Sequence, residues 1–85
     1  MRYWHHALEA GPDRTIEITL DKAANVKLMD EENFNRYRRR QRHRFYGGRA
    51  RRSPVHLRVP RHGRWHLIVD RGGLGGTVHG SVRLI

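Results

Sequence analysis

Residues 53–85 read SPVHLRVPRHGRWHLIVDRGGLGGTVHGSVRLI, three alternating runs separated by two turns. Val55, Leu57 and Val59 share one face of the first run, Trp65, Leu67 and Val69 one face of the second, and Val78, Val82 and Leu84 one face of the third. Successive strand side chains point to opposite faces, so the pattern predicts three strands contributing to one apolar layer. Setting the first two odd-numbered sets on the same side predicts a hairpin with Val59 opposite Trp65, Leu57 opposite Leu67 and Val55 opposite Val69. Pro60 then faces Arg64, leaving Arg61-His62-Gly63 as a three-residue loop whose last, left-handed position is supplied by glycine.

Upstream, Gln41 to Arg52 reads as a second hairpin, with Gly47-Gly48 as a two-residue primed turn. That register sets Tyr46 opposite Arg49 and Arg44 opposite Arg51 on one side, and like charges directly opposite each other are destabilising. Such a face calls for something negative: a ligand, or Glu9, Glu17, Glu31 or Glu32 of the same chain. Asp30 to Gln41 breaks the strand period. Asp30 suits an N-cap, Glu31 and Glu32 fall in the first turn, and Arg38, Arg39 and Arg40 fall where the negative end of a helix favours cations. A helix of two to three turns is predicted, with Met29 and Phe34 as a staple across its cap, Glu32 reaching Arg36, and Phe34 and Tyr37 closing one end of the β core. Earlier still, Tyr3–Leu8 (Trp4 inward), Thr15–Asp21 and Asn25–Met29 read as strands, with Gly11-Pro12-Asp13 as a turn. The expectation is an all-β domain with one short helix, a small antiparallel β-sandwich or barrel of about seven strands.

Tyr46-Gly47-Gly48, Ser53-Pro54-Val55, Leu57-Arg58-Val59-Pro60, Gly63 with Trp65-His66 and Asp70, then Gly72-Gly73 form a motif string that resembles the bacterial family called domain of unknown function 1883. Asn25-Val26, Leu28-Met29-Asp30 and Asn33-Phe34 are similar to its N-terminal half, so the resemblance spans nearly the whole chain. Arg71 departs from the family pattern, which has an apolar residue after the Asp. The resemblance implies a small all-β domain, in other proteins sometimes fused to Toll/interleukin-receptor-type domains. It implies no catalytic residues.

Eighty-five residues make a single domain, 1–85, with a thin core, and the absence of cysteine leaves apolar packing to stabilise it. A cytoplasmic location is compatible with that absence. No uncharged run approaches the roughly 18 residues a membrane span needs, and no leader is evident, so membrane partners are not expected. The net charge is +10, unevenly placed: residues 1–35 carry four basic side chains against seven acids, and residues 36–85 carry fourteen arginines against Asp70 alone. Arginine outnumbers lysine sixteen to two, a preference that a GC-rich genome also produces; the asymmetry between the halves has no such origin.

Candidate chemistry is sparse. His56, His66 and His79 fall on the face away from the apolar layer, but Arg58, Arg64 and Arg83 flank them and no acid stands among them, which disfavours a metal. Ser81, His79 and Asp70 have triad residue types without a motif to position them. Asp70 more simply ends its strand by accepting from loop amides. Arg71 to Gly76 is only superficially a phosphate loop, lacking the Gly-Lys-Ser/Thr ending, although Arg71, Gly72 and Gly73 form the rim of a binding mouth in that reading. What remains is arginine interleaved with aromatics: Arg36, Arg38, Arg39, Arg40, Arg42, Arg44, Tyr46, Arg49, Arg51 and Arg52 are the candidate anion- or partner-binding residues. The expectation is a non-enzymatic binding or sensing module, without cofactor or metal, for an anionic ligand or a protein partner. A single-stranded nucleic-acid binder and a small hydrolytic or metal enzyme are the alternatives.

Overall fold

The structure, a computed structural model, describes residues 3–72 and 76–85. Its elements are β1 (Tyr3–Ala10), β2 (Thr15–Leu20), β3 (Ala24–Met29), α1 (Glu31–Arg38), β4 (Tyr46–Ala50), β5 (Val55–Arg58), β6 (Gly63–Asp70) and β7 (Gly80–Leu84). They form two antiparallel sheets, one ordered β1-β6-β3-β4 and the other β5-β2-β7. The chain is a β-sandwich with one short helix, as the alternation and turn spacing predict.

The core lies between the sheets. From the first sheet come Trp65, Leu67 and Val69 of β6 with Val26 and Leu28 of β3; from the second come Ile16 and Ile18 of β2, all fully buried. Val55, Leu57, Val82 and Leu84 pack against them. The single apolar layer read from residues 53–85 is therefore present, but the register is not. β5 pairs with β2, Ile16 facing Leu57 and Ile18 facing Val55, while β6 pairs with β1 and β3. Arg61-His62-Gly63 carries the chain from one sheet to the other, and Gly63 is not among the positive-φ glycines. Alternation fixes which face of a strand is apolar; it does not say whether two apolar faces lie side by side or across a core.

The Gly47-Gly48 hairpin is also corrected. Both glycines lie inside β4, an edge strand, opposite Lys27 and Val26 of β3. A methyl group on Gly47 would approach the Val26 carbonyl oxygen to 2.2 Å, and its φ is +119°, so glycine is required for close backbone approach rather than for a turn. Tyr46 pairs with Leu28 and Arg49 with Asn25, which places these two side chains on opposite faces, and Arg44 and Arg51 are not cross-strand neighbours.

Helix α1 begins as the sequence predicts: the Asp30 carboxylate accepts from the Asn33 amide at 2.9 Å, and Glu32 pairs with Arg36 at 2.7 Å. Its apolar stripe does not close an end of the main core. Phe34 and Tyr37 join Met29 and Ile68 in a second cluster on the outer face of the four-stranded sheet. β6 is buried on both faces as a result, with Trp65, Leu67 and Val69 inward and His66, Ile68 and Asp70 under the helix side.

Leu67→Ala should cost about 2–5 kcal/mol, enough to unfold a large fraction of so small a domain in a urea titration. Gly47→Ala should lower the urea midpoint more than Gly48→Ala, because a methyl at Gly48 meets nothing within 4 Å and adds only the strain of its φ of +157°, whereas at Gly47 the φ strain and the clash with Val26 add together. Equal midpoints for the two alanine variants would show that β4 does not approach β3 as described.

Candidate functional site

The helix N-terminus, the start of β4 and the start of β6 converge on a cleft of about 360 Å³ lined by Met29, Asp30, Asn33, Arg44, Phe45, Tyr46, Arg61 and Trp65. Each wall has a local cause. Asn33 Oδ1 accepts from the Arg44 amide at 2.8 Å, tying the segment after the helix back to its first turn. Asp30 is held three ways, its Oδ1 by the amide and side chain of Asn33 and its Oδ2 by Arg61 at 3.2 Å. Burial pushes the Asp30 carboxyl up, but the Asn33 hydrogen bonds and the Arg61 guanidinium outweigh it and keep the group below its ordinary 3.8. Arg61 lies 4.9 Å over the Trp65 ring, and Trp65 Nε1 donates to the Arg61 carbonyl at 3.0 Å. Tyr46 meets Trp65 edge-on at 6.1 Å.

The basic candidates continue from this cleft along the helix end, the link and the edge strand. Arg36 is paired with Glu32, and Arg38 lies 5.4 Å over Phe34. Arg39 and Arg40 end the helix: Gln41 N–H donates to the Arg36 carbonyl at 2.9 Å and Arg40 N–H to the Tyr37 carbonyl at 3.1 Å, with Arg40 at φ +59°. This is the paired closure that glycine usually makes, here made by an arginine. Arg42 and Arg44 lie in the link, Arg49 in β4, and Arg51 and Arg52 just beyond it. All are exposed, and among the described residues none of Arg39, Arg40, Arg42, Arg44, Arg49, Arg51 and Arg52 has an ion-pair partner. Of the acids that could have screened them, Glu17 is engaged with Arg83 and His56, Glu31 with His66 and Arg64, and Asp30 with Arg61, while Glu9, opposite Arg64 on the far edge strand, makes no ion pair among the described residues. Of the interleaved aromatics, Tyr37 is buried, whereas Phe45 and Tyr46 are 40% and 50% exposed.

The loop rim is placed differently. Gly72 N–H donates to Asp70, Arg71 is half-buried with an Nε that has no partner among the described residues, and Gly73 lies outside the described residues. Asp70 is a closed node, only 2% exposed. It accepts from Asn25, the Tyr37 hydroxyl and the Gly72 amide, with Lys27 Nζ 3.8 Å away. Burial opposes its ionisation, but these hydrogen bonds and the Lys27 charge prevail and hold its pKa below 3.8. Burial, reinforced by the Asp70 carboxylate, pushes the Tyr37 hydroxyl well up. The triad types do not converge: Asp70 sits under the helix side of the first sheet, while Ser81 faces Thr19 in the second.

The histidines are not free of acids as expected. His56 contacts Glu17 at 3.0 Å on the second sheet, and His66 contacts Glu31 at 3.1 Å on the first. Among the described residues no group of three or more ligating side chains could hold a metal. Sequence reasoning missed a chain running from Glu31 through the buried His66 to His5, whose Nε2 lies 2.8 Å from His66 Nδ1, with Phe34 stacked on both rings. The β1–β6 register that creates it leaves no signature in either strand alone.

A family model described as domain of unknown function (DUF1883) matches residues 1–85. No curated protein and no solved structure matches.

Stability should fall in two stages on acidification. Burial and then the neighbouring His66 lower the His5 pKa below 6.5, so the unfolded chain binds that proton more readily and stability declines as pH drops below about 6.5. The depressed Asp70 carboxyl adds a second loss below about pH 4. Thermal melts from pH 8 to 3 should show both, and His5→Asn should flatten the first while leaving the second.

Proposed function

Because the chain belongs to the DUF1883 family, whose description states no activity, we propose a function from the geometry: a binding module for a phosphate-bearing polyanion, single-stranded RNA or DNA. The observation that carries this reading is the run of exposed arginines between Arg39 and Arg52 that no acid among the described residues pairs with, and the partial exposure of Phe45 and Tyr46 among them. Guanidinium forks suit phosphate oxygens, and exposed rings offer bases a stacking surface. Uncompensated charge of one sign also opposes folding through self-repulsion, so a polyanion would relieve it.

Arg40 supports the same reading. A non-glycine residue in the left-handed region costs about 1–2 kcal/mol, yet the chain places an exposed cation there. Arg40→Gly should therefore hold or raise the melting temperature while weakening polyanion binding. An acidic protein segment is the competing partner; its carboxylates would pair with the arginines without calling for stacking on Phe45 and Tyr46.

Fluorescence anisotropy with a labelled dodecathymidylate should give a log–log salt slope of about −0.7 per phosphate contacted, about −3 for four contacts. Changing Arg44, Arg49 and Arg51 together to Gln should flatten that slope with the melting temperature retained. Absence of binding to both RNA and DNA at low salt would overturn the reading, and retention on an acidic peptide in its place would select the protein partner.

A further inference from the structure

The cleft beside the basic segment has a recognition edge of its own. Asp30 Oδ1 is occupied by two donors from Asn33, which leaves Oδ2 with acceptor capacity beyond its contact with Arg61. The Arg61 guanidinium spends one N–H on that oxygen, and its side chain is 59% exposed. The contact therefore brings the remaining guanidinium N–H donors of Arg61 beside the Asp30 carboxylate acceptor. Phe45, with Lys27 over one side of its ring, and Tyr46 are both partly exposed at the same cleft, and Arg44, its backbone pinned by Asn33, supplies a guanidinium without an ion-pair partner among the described residues. The volume, about 360 Å³, is at the small end of the range for ligand sites.

We propose that this cleft seats a single unstacked guanine, its N7 and O6 facing Arg61, its N1–H facing Asp30, its ring against Tyr46 or Phe45, and its phosphate on Arg44. The assignment deepens the nucleic-acid reading and rests on it. Guanine is the base whose edge runs acceptor, acceptor, donor through N7, O6 and N1–H. Arginine to O6 and N7 is the most frequent specific contact to that edge. Adenine presents acceptor, donor, acceptor over the same atoms and would set its amino group against the guanidinium. The pyrimidines lack the N7 acceptor. A base in such a cleft must be splayed out of a stack, which single strands allow.

Isothermal titration calorimetry with mononucleotides tests this without any oligonucleotide. GMP should bind at least ten-fold more tightly than AMP, CMP or UMP. IMP, which keeps N7, O6 and N1–H and lacks only the 2-amino group, should fall within about three-fold of GMP, whereas 7-deaza-GMP should lose about ten-fold. Asp30→Asn retains a good helix cap and should abolish the preference for GMP over AMP. If that variant does not fold, Arg61→Gln, at an exposed position, should abolish it in the same way. Equal affinity for GMP and AMP overturns the guanine assignment, as does a GMP preference that survives both substitutions. If dodecathymidylate still binds with a steep salt slope in that case, only the cleft assignment falls; if neither nucleotide nor oligonucleotide binds, the nucleic-acid reading falls with it.

Discussion

Strand β6 is buried on both faces, and the rest of the molecule follows from satisfying it. An antiparallel strand usually gives one face to water and alternates accordingly. Here every residue from Trp65 to Asp70 is buried, so two separate layers must cover it. The second sheet covers Trp65, Leu67 and Val69; α1, through Phe34 and Tyr37, covers Ile68 and brings partners to His66 and Asp70. The two polar residues on the helix side are the ones that need partners, since a buried unpaired group costs roughly 1–3 kcal/mol. Asp70 draws Asn25, Tyr37 and Gly72 together, and His66 draws Glu31 and His5. A helix of only eight residues is held in place by these contacts more than by its own propensity.

Local features were legible in the sequence and pairings were not. The Asp30 cap, the Glu32–Arg36 pair, the alternation of β2 and the apolar identities of β5, β6 and β7 depend on neighbours within four residues, which spacing encodes. The β5–β6 pairing depends on whether a connection turns back within a sheet or crosses to the other, and a three-residue loop ending in glycine is compatible with both. Gly47-Gly48 misleads for a related reason. Glycine marks tight turns and close backbone contacts alike, and the contact with the Val26 carbonyl involves a residue distant in sequence on a neighbouring strand. The cleft leaves little trace in the sequence because Trp65 belongs to the core and also lies along its wall, and because the spacing that suggests a hairpin puts Arg61 in a turn, where the fold has a crossing between sheets.

The charge pattern gains its meaning from where the acids went. In sequence, seven acids precede the arginine-rich half and could have screened it. In the fold, Asp30, Glu17 and Glu31 are taken by Arg61, Arg64, Arg83 and two histidines, none of which lies in the segment from Arg36 to Arg52, Asp21 accepts from the His79 amide, and Glu9 and Asp13 make no ion pair among the described residues. Glu32 alone reaches that segment, through Arg36 within the helix. Genomic bias accounts for arginine in place of lysine at any one position, but it does not distribute acids away from one edge of a sheet. Nor does it account for a cation at the left-handed closure of a helix, where glycine is less strained. An edge strand with exposed arginine also resists pairing with another copy of itself, since like charges would face across the new ladder. Under the proposed reading, the side chains that make β4 a poor partner for a second copy would also suit a polyanion, so solubility and binding would favour the same residues. On that reading the two demands separate at Tyr46 and Phe45, whose exposure at the start of that edge would serve binding and works against solubility.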